Sequence, residues 1–355
     1  MIMDLSPFFV HLVSHFKLAL TVLNFSYIIT KSMNFKNLQN SLKKELELVA
    51  NEIRASLDSP IEFIRQVASY LIESGGKRFR PLVLILSARA FGYQGDRVYK
   101  IASALEFIHT ATLLHDDVVD YAELRRGKPS ANVLWGNEAT VLVGDFLLAR
   151  SFLALVKEKD LDILNCVSNA TTKMAEGEIL QLLKSEEPET TEEDYLEIVR
   201  CKTAVLISAA AEVGAIIGNA TPDIREKMRN FGMLIGTAFQ IADDTLDYIT
   251  SDETLGKIQG QDFYDGKVTM PFIYTYKSST DRERNQLSRL LLKKNKKRED
   301  FEKVYKILET HDAFKHSFRI AHNYVTEAKN CISFLDEKLR KPLEIIADYT
   351  IERTF

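Results

Sequence analysis

The sequence is short of the features that define several common protein classes. Only three of its 355 residues are cysteine: Cys166, Cys201 and Cys331. They are odd in number, far apart and in no metal-site spacing. That argues against a disulfide framework and for reduced thiols in a cytoplasmic setting. A basic surplus is also missing: 46 Lys and Arg face 50 Asp and Glu, a net charge of -4, which leaves no footprint for nucleic acid. The apolar opening from Leu5 to Thr30 is broken by His11, His15, Lys17 and Asn24. It is not the clean run of about 20 apolar residues that a membrane span needs. It also lacks the basic start and small-residue cleavage site of a secretory signal. Because Met33 follows and the amphipathic pattern begins just after it, residues 1–32 are expected to be an upstream extension from a misplaced start, with a membrane-touching or organelle-targeting segment as the alternative. The eight prolines fall at expected helix starts or in polar joints, and no alternating stretch is long enough for a sheet.

Apolar residues spaced for helices make up what is there. Leu38, Leu42, Leu46, Val49 and Ile53 recur at helical intervals. Ser59-Pro60-Ile61-Glu62, Thr190 through Glu193, and Thr221-Pro222 are read as helix starts. Ala204 to Ile217 is built almost wholly of small and apolar residues, as befits a helix buried all round or packed at an interface. Gly75-Gly76, Gly92 to Gly95 and Gly256 through Gly266 are joints between helices. Lys293, Lys294, Lys296, Lys297 and Arg298 are expected in a solvated loop. The chain from residue 33 to 355 therefore reads as one all-α domain.

Two stretches stand out chemically. Asp116-Asp117-Val118-Val119-Asp120 ends one apolar helical run, and Asp243-Asp244-Thr245-Leu246-Asp247 repeats its pattern inside another. On a helix Asp116 and Asp120 point the same way while Asp117 is turned about 100° aside. Like charges at that spacing cost roughly 0.2–0.5 kcal/mol even in water, and more where water is scarce. Six carboxylates on greasy helices call for a cation, and oxygen-only ligands at one-turn spacing suit Mg²⁺. If the two motifs face one another, they can hold several Mg²⁺ ions around a diphosphate. Basic residues lie where such a ligand needs them: Lys77-Arg78-Phe79-Arg80 before a hydrophobic helix, and Arg125-Arg126-Gly127-Lys128 just after the first motif. Lys202-Thr203 opens the small-residue helix, and Lys257 and Lys267 flank a loop around Asp262.

In this order and spacing the motifs resemble the trans-type (E-) polyprenyl diphosphate synthases. The resemblance is carried by Gly75-Gly76-Lys77-Arg78-Phe79-Arg80-Pro81, the two aspartate motifs, Arg125-Arg126-Gly127, Lys202-Thr203, Phe239-Gln240, and Gly256-Lys257 through Asp265-Gly266-Lys267. It implies an isoprenoid-synthase-type bundle of many helices around a deep central cavity. It also implies Mg²⁺-dependent head-to-tail condensation of isopentenyl diphosphate with an allylic diphosphate. Lys77, Arg80 and His109, with Arg126, would hold isopentenyl diphosphate. Arg125, Lys202, Thr203, Gln240, Lys257 and Lys267 would contact the allylic diphosphate. Asp116, Asp120 and Asp243 would bind metal, three Mg²⁺ ions in all with substrate present, and Asp117, Asp244, Asp247 and Lys202 would complete the catalytic set. His115 would be structural.

Product length in such an enzyme depends on what the growing tail meets below the first motif. Ala111 and Thr112 are small there, so a product of C30 or longer is expected, with a deeper floor at Phe152 or Met174. A farnesyl or geranylgeranyl diphosphate synthase is the shorter-chain alternative. A homodimer and a peripheral membrane contact for product release belong to the same expectation. A metal phosphohydrolase built on His115-Asp116 would leave the second motif unexplained. A non-catalytic subunit would be expected to lack one of the motifs, and a terpene cyclase would not need the Gly-Gly-Lys-Arg turn.

Overall fold

The computed structural model describes residues 34–73, 76–125, 127–250 and 258–352. These residues form helices throughout, apart from one small hairpin. Gly75, Arg126, Lys257 and residues 1–32 lie outside the described residues.

The chain opens with α1 (Phe35–Ser41), capped by the Asn34 side chain on Asn37 N–H, and α2 (Lys43–Ser56). Next comes α3 (Glu62–Glu73). It begins at Glu62 rather than at Pro60, because the Ser59 hydroxyl takes the Ile61 N–H and closes a turn outside the helix. Helices α4 (Phe79–Ala90) and α5 (Arg97–Val119) follow, and α5 ends on the first aspartate motif. The hairpin pairs β1 (Leu124–Arg125) with β2 (Lys128–Pro129), a strand pair too short to show as alternation in the sequence. It is tied down by Tyr70, whose hydroxyl donates to Pro129 C=O at 2.8 Å.

After the short α6 (Ala131–Trp135) come two long helices, α7 (Asn137–Lys157) and α8 (Leu161–Lys184). The Asp160 carboxylate caps α8 by accepting from Asp162 and Ile163 N–H. Helix α9 (Glu192–Val199) carries a capping box, set on Thr191 and Asp194 rather than on Thr190 and Glu193. The helical chain then widens into a π-turn over Arg200–Ala204 before α10 (Val205–Ile217) and α11 (Pro222–Ile249). The rest is α12 (Gln261–Tyr264), α13 (Met270–Ser278), α14 (Asp281–Leu291), α15 (Arg298–Thr310), α16 (Ala313–Cys331) and α17 (Glu337–Glu352). Pro342 lies inside α17, contrary to the expectation that no proline interrupts a helix.

Burial explains the layering. Helix α10 is enclosed on every side (Leu206, Ala210, Ala211, Val213 and Ala215 are at 0% exposure), and α4 is equally sunk through Leu82 to Ile85. These two form the centre, with α11 and α8 packed on α10 and α7 running along α5. Two glycines allow the closest approaches. A Cβ on Gly177 of α8 would lie 2.6 Å from the backbone N of Lys202, and one on Gly236 of α11 would lie 2.6 Å from Cα of Ala204. The π-turn is therefore clamped from both sides by helix backbones. The basic run is exposed as expected at Lys293, Lys294, Lys297 and Arg298, and only Lys296 departs from that. Lys296 is 5% exposed, with its ammonium 3.3 Å from Tyr264 C=O and 5.7 Å from the Phe263 ring.

Candidate active site

The C-terminal end of α5, the top of α8, the π-turn and the middle of α11 enclose a cavity of about 270 Å³. Its lining includes Asp116, Asp120, Asp243, Asp244 and Asp262, and opposite charge from Arg125, Lys184, Lys202 and Lys267. Thr203 and Gln240 lie in the same wall. The two motifs, more than 120 positions apart in sequence, thus meet in one polar pocket. Ile198, Val199 and Val268 add apolar surface.

Lysines span the acidic groups. Lys267 Nζ is 3.0 Å from Asp120 Oδ2 and 3.1 Å from Asp265 Oδ2, so it ties the first motif to the loop after the second. Burial opposes its charge, but the carboxylates of Asp262, Asp120 and Asp265 outweigh that and hold the ammonium firmly protonated. Lys202 Nζ lies 2.7 Å from Glu178 Oε2. Asp116 is pushed up to about 7, first by burial and then by the charges of Glu178 and Asp120, against the pull of Lys202 and Arg125.

The motif residues do not all face the cavity. Asp117 is fully buried and accepts from Arg125 at 2.7 Å (Nε) and 2.6 Å (Nη2), so it holds the arginine that lines the pocket. Asp247 is 2% exposed and takes the Asp262 N–H at 3.0 Å, fixing the loop that brings Asp262 and Lys267 inward. Neither lines the cavity. Asp244 does, while also accepting from Tyr195 hydroxyl and from Gln240 Nε2, each at 2.6 Å. Burial first, then Asp243 and Asp247, push its carboxyl up to about 6, against those two donors. Thr203 Oγ1 donates to Gln240 Oε1 at 2.9 Å and extends the chain of contacts.

Lys77, Arg80 and His109 stand apart from this lining. Lys77 is exposed, 5.0 Å above the Tyr349 ring, and His109 lies two turns before Asp116 on α5. His115 bridges to α7, 3.2 Å from Val141 C=O and 3.4 Å from Asp145. Ala111 is buried on α5 and Thr112 is half-buried; Met174 is buried on α8, and Phe152 is half-buried against the core. Sequence reasoning missed Tyr195, Glu178 and Gln181. A tyrosine on a short capped helix carries no motif. The signal for Glu178 was a charge one turn above Met174 on an otherwise apolar stripe.

No three His, Cys, Asp or Glu side chains are arranged to hold a metal by themselves among the described residues. That arrangement still suits Mg²⁺, which is typically bound through one or two carboxylates and completes its octahedron with water and phosphate oxygens. Asp116 and Asp120 at one-turn spacing, with Asp243 in the same lining, are a donor set of that kind.

An all-α bundle that lines one cavity with two aspartate motifs and a ring of cations defines a class of enzyme that handles diphosphates. The chain belongs to the polyprenyl synthetase family, whose family model matches residues 61–308, and it is a prenyltransferase. It is 37% identical over 322 residues to an octaprenyl diphosphate synthase of Escherichia coli strain K12, covering 90% of this chain and 99% of that one. A geranylgeranyl diphosphate synthase of Methanosarcina mazei is 33% identical over 326 residues, covering 89% and 99%. Among solved structures, a polyprenyl synthase of Caulobacter crescentus with calcium and isoprenyl diphosphate superposes with a TM-score of 0.87 at 38% identity, covering 92% and 100%.

Proposed function

We propose that the protein elongates an allylic diphosphate with isopentenyl diphosphate, head to tail, to an all-trans polyprenyl diphosphate of C30 or longer, and that it requires Mg²⁺. One observation carries the reading: Asp116, Asp120 and Asp243 line the same cavity as Arg125, Lys202 and Lys267. The Caulobacter crescentus enzyme, with a metal and an isoprenyl diphosphate, supports a site of this chemistry.

When bound at the aspartates, Mg²⁺ supplies Lewis-acid neutralisation of the departing diphosphate. The protein's own share is to bind and to keep water out. Lys202, Lys267 and Arg125 present cations to the allylic diphosphate, Arg125 held by Asp117 and Lys267 by Asp265. The C–O bond of the allylic substrate breaks, its electron pair leaving with the diphosphate. The alkene of isopentenyl diphosphate attacks the resulting cation, forming the new C–C bond, and a proton passes to the released diphosphate, restoring an allylic diphosphate one C5 unit longer. Water would quench that cation, so an apolar tunnel below the site is required. No side-chain nucleophile takes part. Lys77, Arg80 and His109, which do not line the acidic cavity, are assigned to isopentenyl diphosphate, with Arg126; Lys257 joins the allylic set.

The long product rests on Ala111 and Thr112, which put no bulky group below Asp116, and the octaprenyl relative agrees with it. The test is product chromatography with labelled isopentenyl diphosphate: Ala111→Tyr should shorten the product sharply. A parent enzyme that stops at C15 or C20 would overturn the assignment and favour the shorter-chain alternative.

The same reading includes a homodimer. The small-residue helix α10 is used up inside the protomer's own core, so the support comes from elsewhere. Leu142 and Val156 on α7, with Leu161, Ile179, Leu182 and Leu183 on α8, are 55–73% exposed. An apolar face of that kind is normally covered by a partner. Helix α7 is also long and apolar enough to cross a membrane by length and composition; a second copy seated on α7 and α8 is the reading adopted, and sedimentation equilibrium tests it. Exposed Val119, Tyr121 and Leu124 adjoining Asp120 would be the peripheral membrane contact for product release, and the three free thiols fit a cytoplasmic setting.

A further inference from the structure

Glu178 belongs to neither aspartate motif, yet it stands at the seam between them. It is one third exposed on α8, and its Oε2 lies 2.7 Å from Nζ of Lys202, which is 20% exposed. Its neighbour Gly177 touches the π-turn backbone: a Cβ there would come within 2.6 Å of Lys202 N and 2.9 Å of Cys201 C. The carboxylate and the ammonium are thus set by a direct helix-to-turn contact, not by two free side chains meeting in water. The pair also sits close to the metal-type aspartates. Lys202 lines the same cavity as Asp116, Asp120 and Asp243.

This arrangement addresses a physical problem. A divalent cation on Asp116 and Asp120 would repel an ammonium beside it and swing the flexible lysine stem away. We infer that Glu178 is a positioning residue that anchors Lys202 against that repulsion, committing one of its N–H groups and leaving the other two for the allylic diphosphate. The inference rests on the function proposed above. Aspartate at this place would be too short to reach across the contact, and glutamine would keep the hydrogen bond without the charge.

The experiment uses the full chain with excess Mg²⁺, titrating the allylic diphosphate at saturating isopentenyl diphosphate and the reverse. Glu178→Ala should raise KM for the allylic diphosphate about tenfold, the loss of one charge-assisted hydrogen bond, and leave KM for isopentenyl diphosphate within about twofold. Glu178→Gln should recover part of the loss, with a Tm like that of the parent. Binding of inorganic diphosphate with Mg²⁺, followed by calorimetry, should weaken in parallel. In a Lys202→Ala background the Glu178→Ala effect should vanish. Equal rises in both KM values, or an effect that persists without Lys202, would overturn the assignment while leaving the enzyme's function intact. A parent protein that makes no prenyl product would remove the function, and this role with it.

Discussion

The two aspartate motifs share one sequence pattern and diverge in structure. In the first, the outer pair Asp116 and Asp120 face the cavity and the middle Asp117 is buried on Arg125. In the second, Asp243 and Asp244 face it and the last, Asp247, is buried on the Asp262 amide. The cause is what packs over each motif: Asp120 meets only the Lys267 side chain across the cavity, at 3.0 Å, among the contacts described above. Helix α5 ends at Val119, so Asp120 is its C-cap, with backbone at φ -84°, ψ 0°. On α11, which runs on to Ile249, Asp243 and Asp247 lie one turn apart on the same side, but the segment from Gly260 to Asp262 folds over Asp247, donating the Gly260 N–H to its carbonyl and the Asp262 N–H to its carboxylate. A repeated motif is thus a repeated composition, and which of its members reach the cavity depends on what the rest of the chain packs over them.

The strongest way to break the comparison is to remove one cavity-facing acid from each motif. Asp116→Ala with Asp243→Ala should lower prenyl elongation by on the order of 10³-fold or more, measured with labelled isopentenyl diphosphate, because the loss of metal charge neutralisation is worth several kcal/mol. Undiminished elongation would sink the proposed function.

The buried members should respond in stability instead. Asp117→Ala strands the Arg125 guanidinium. A broken buried pair costs about 3–5 kcal/mol, reduced here to about 2–3 because Arg125 is one quarter exposed. Asp247→Ala, which frees the Asp262 backbone N–H, should cost about 1–2 kcal/mol. Urea unfolding of both variants checks the order; the reverse order would contradict the division of roles.

The smallest effect is on pH dependence. Asp116 lies near 7 in the folded protein, above its ordinary 3.8, chiefly through burial. The folded state therefore holds that proton more tightly than the unfolded one, so this group's contribution to stability falls as pH rises from about 4 to about 7 and is flat above. Metal-free protein should lose Tm across that window, and Asp116→Asn should flatten the loss. Added Mg²⁺ should raise Tm more at pH 8 than at pH 6, since below about 7 it competes with the proton. A Tm gain from Mg²⁺ that is larger at pH 6 would contradict this.

Much was legible from one dimension. Period-3.6 apolar spacing and the near absence of alternation are local properties, and they specified helices; the two-residue strands of the hairpin, the start of α3, the box at Thr191, the π-turn and Pro342 inside α17 escaped. Charge inside apolar runs exposed the aspartates, because a buried carboxylate needs a partner wherever it lies. What partners it has is not local. That Asp117 serves Arg125, that Glu178 fixes Lys202, and that Tyr195 donates to Asp244 across 49 positions followed only once the helices had packed. The glycine contacts of α8 and α11 with the π-turn set those distances, and α10 turned out to be protomer core, not interface. Residue identity determines which groups must be neutralised; the packing of distant segments and close backbone approach decide by what.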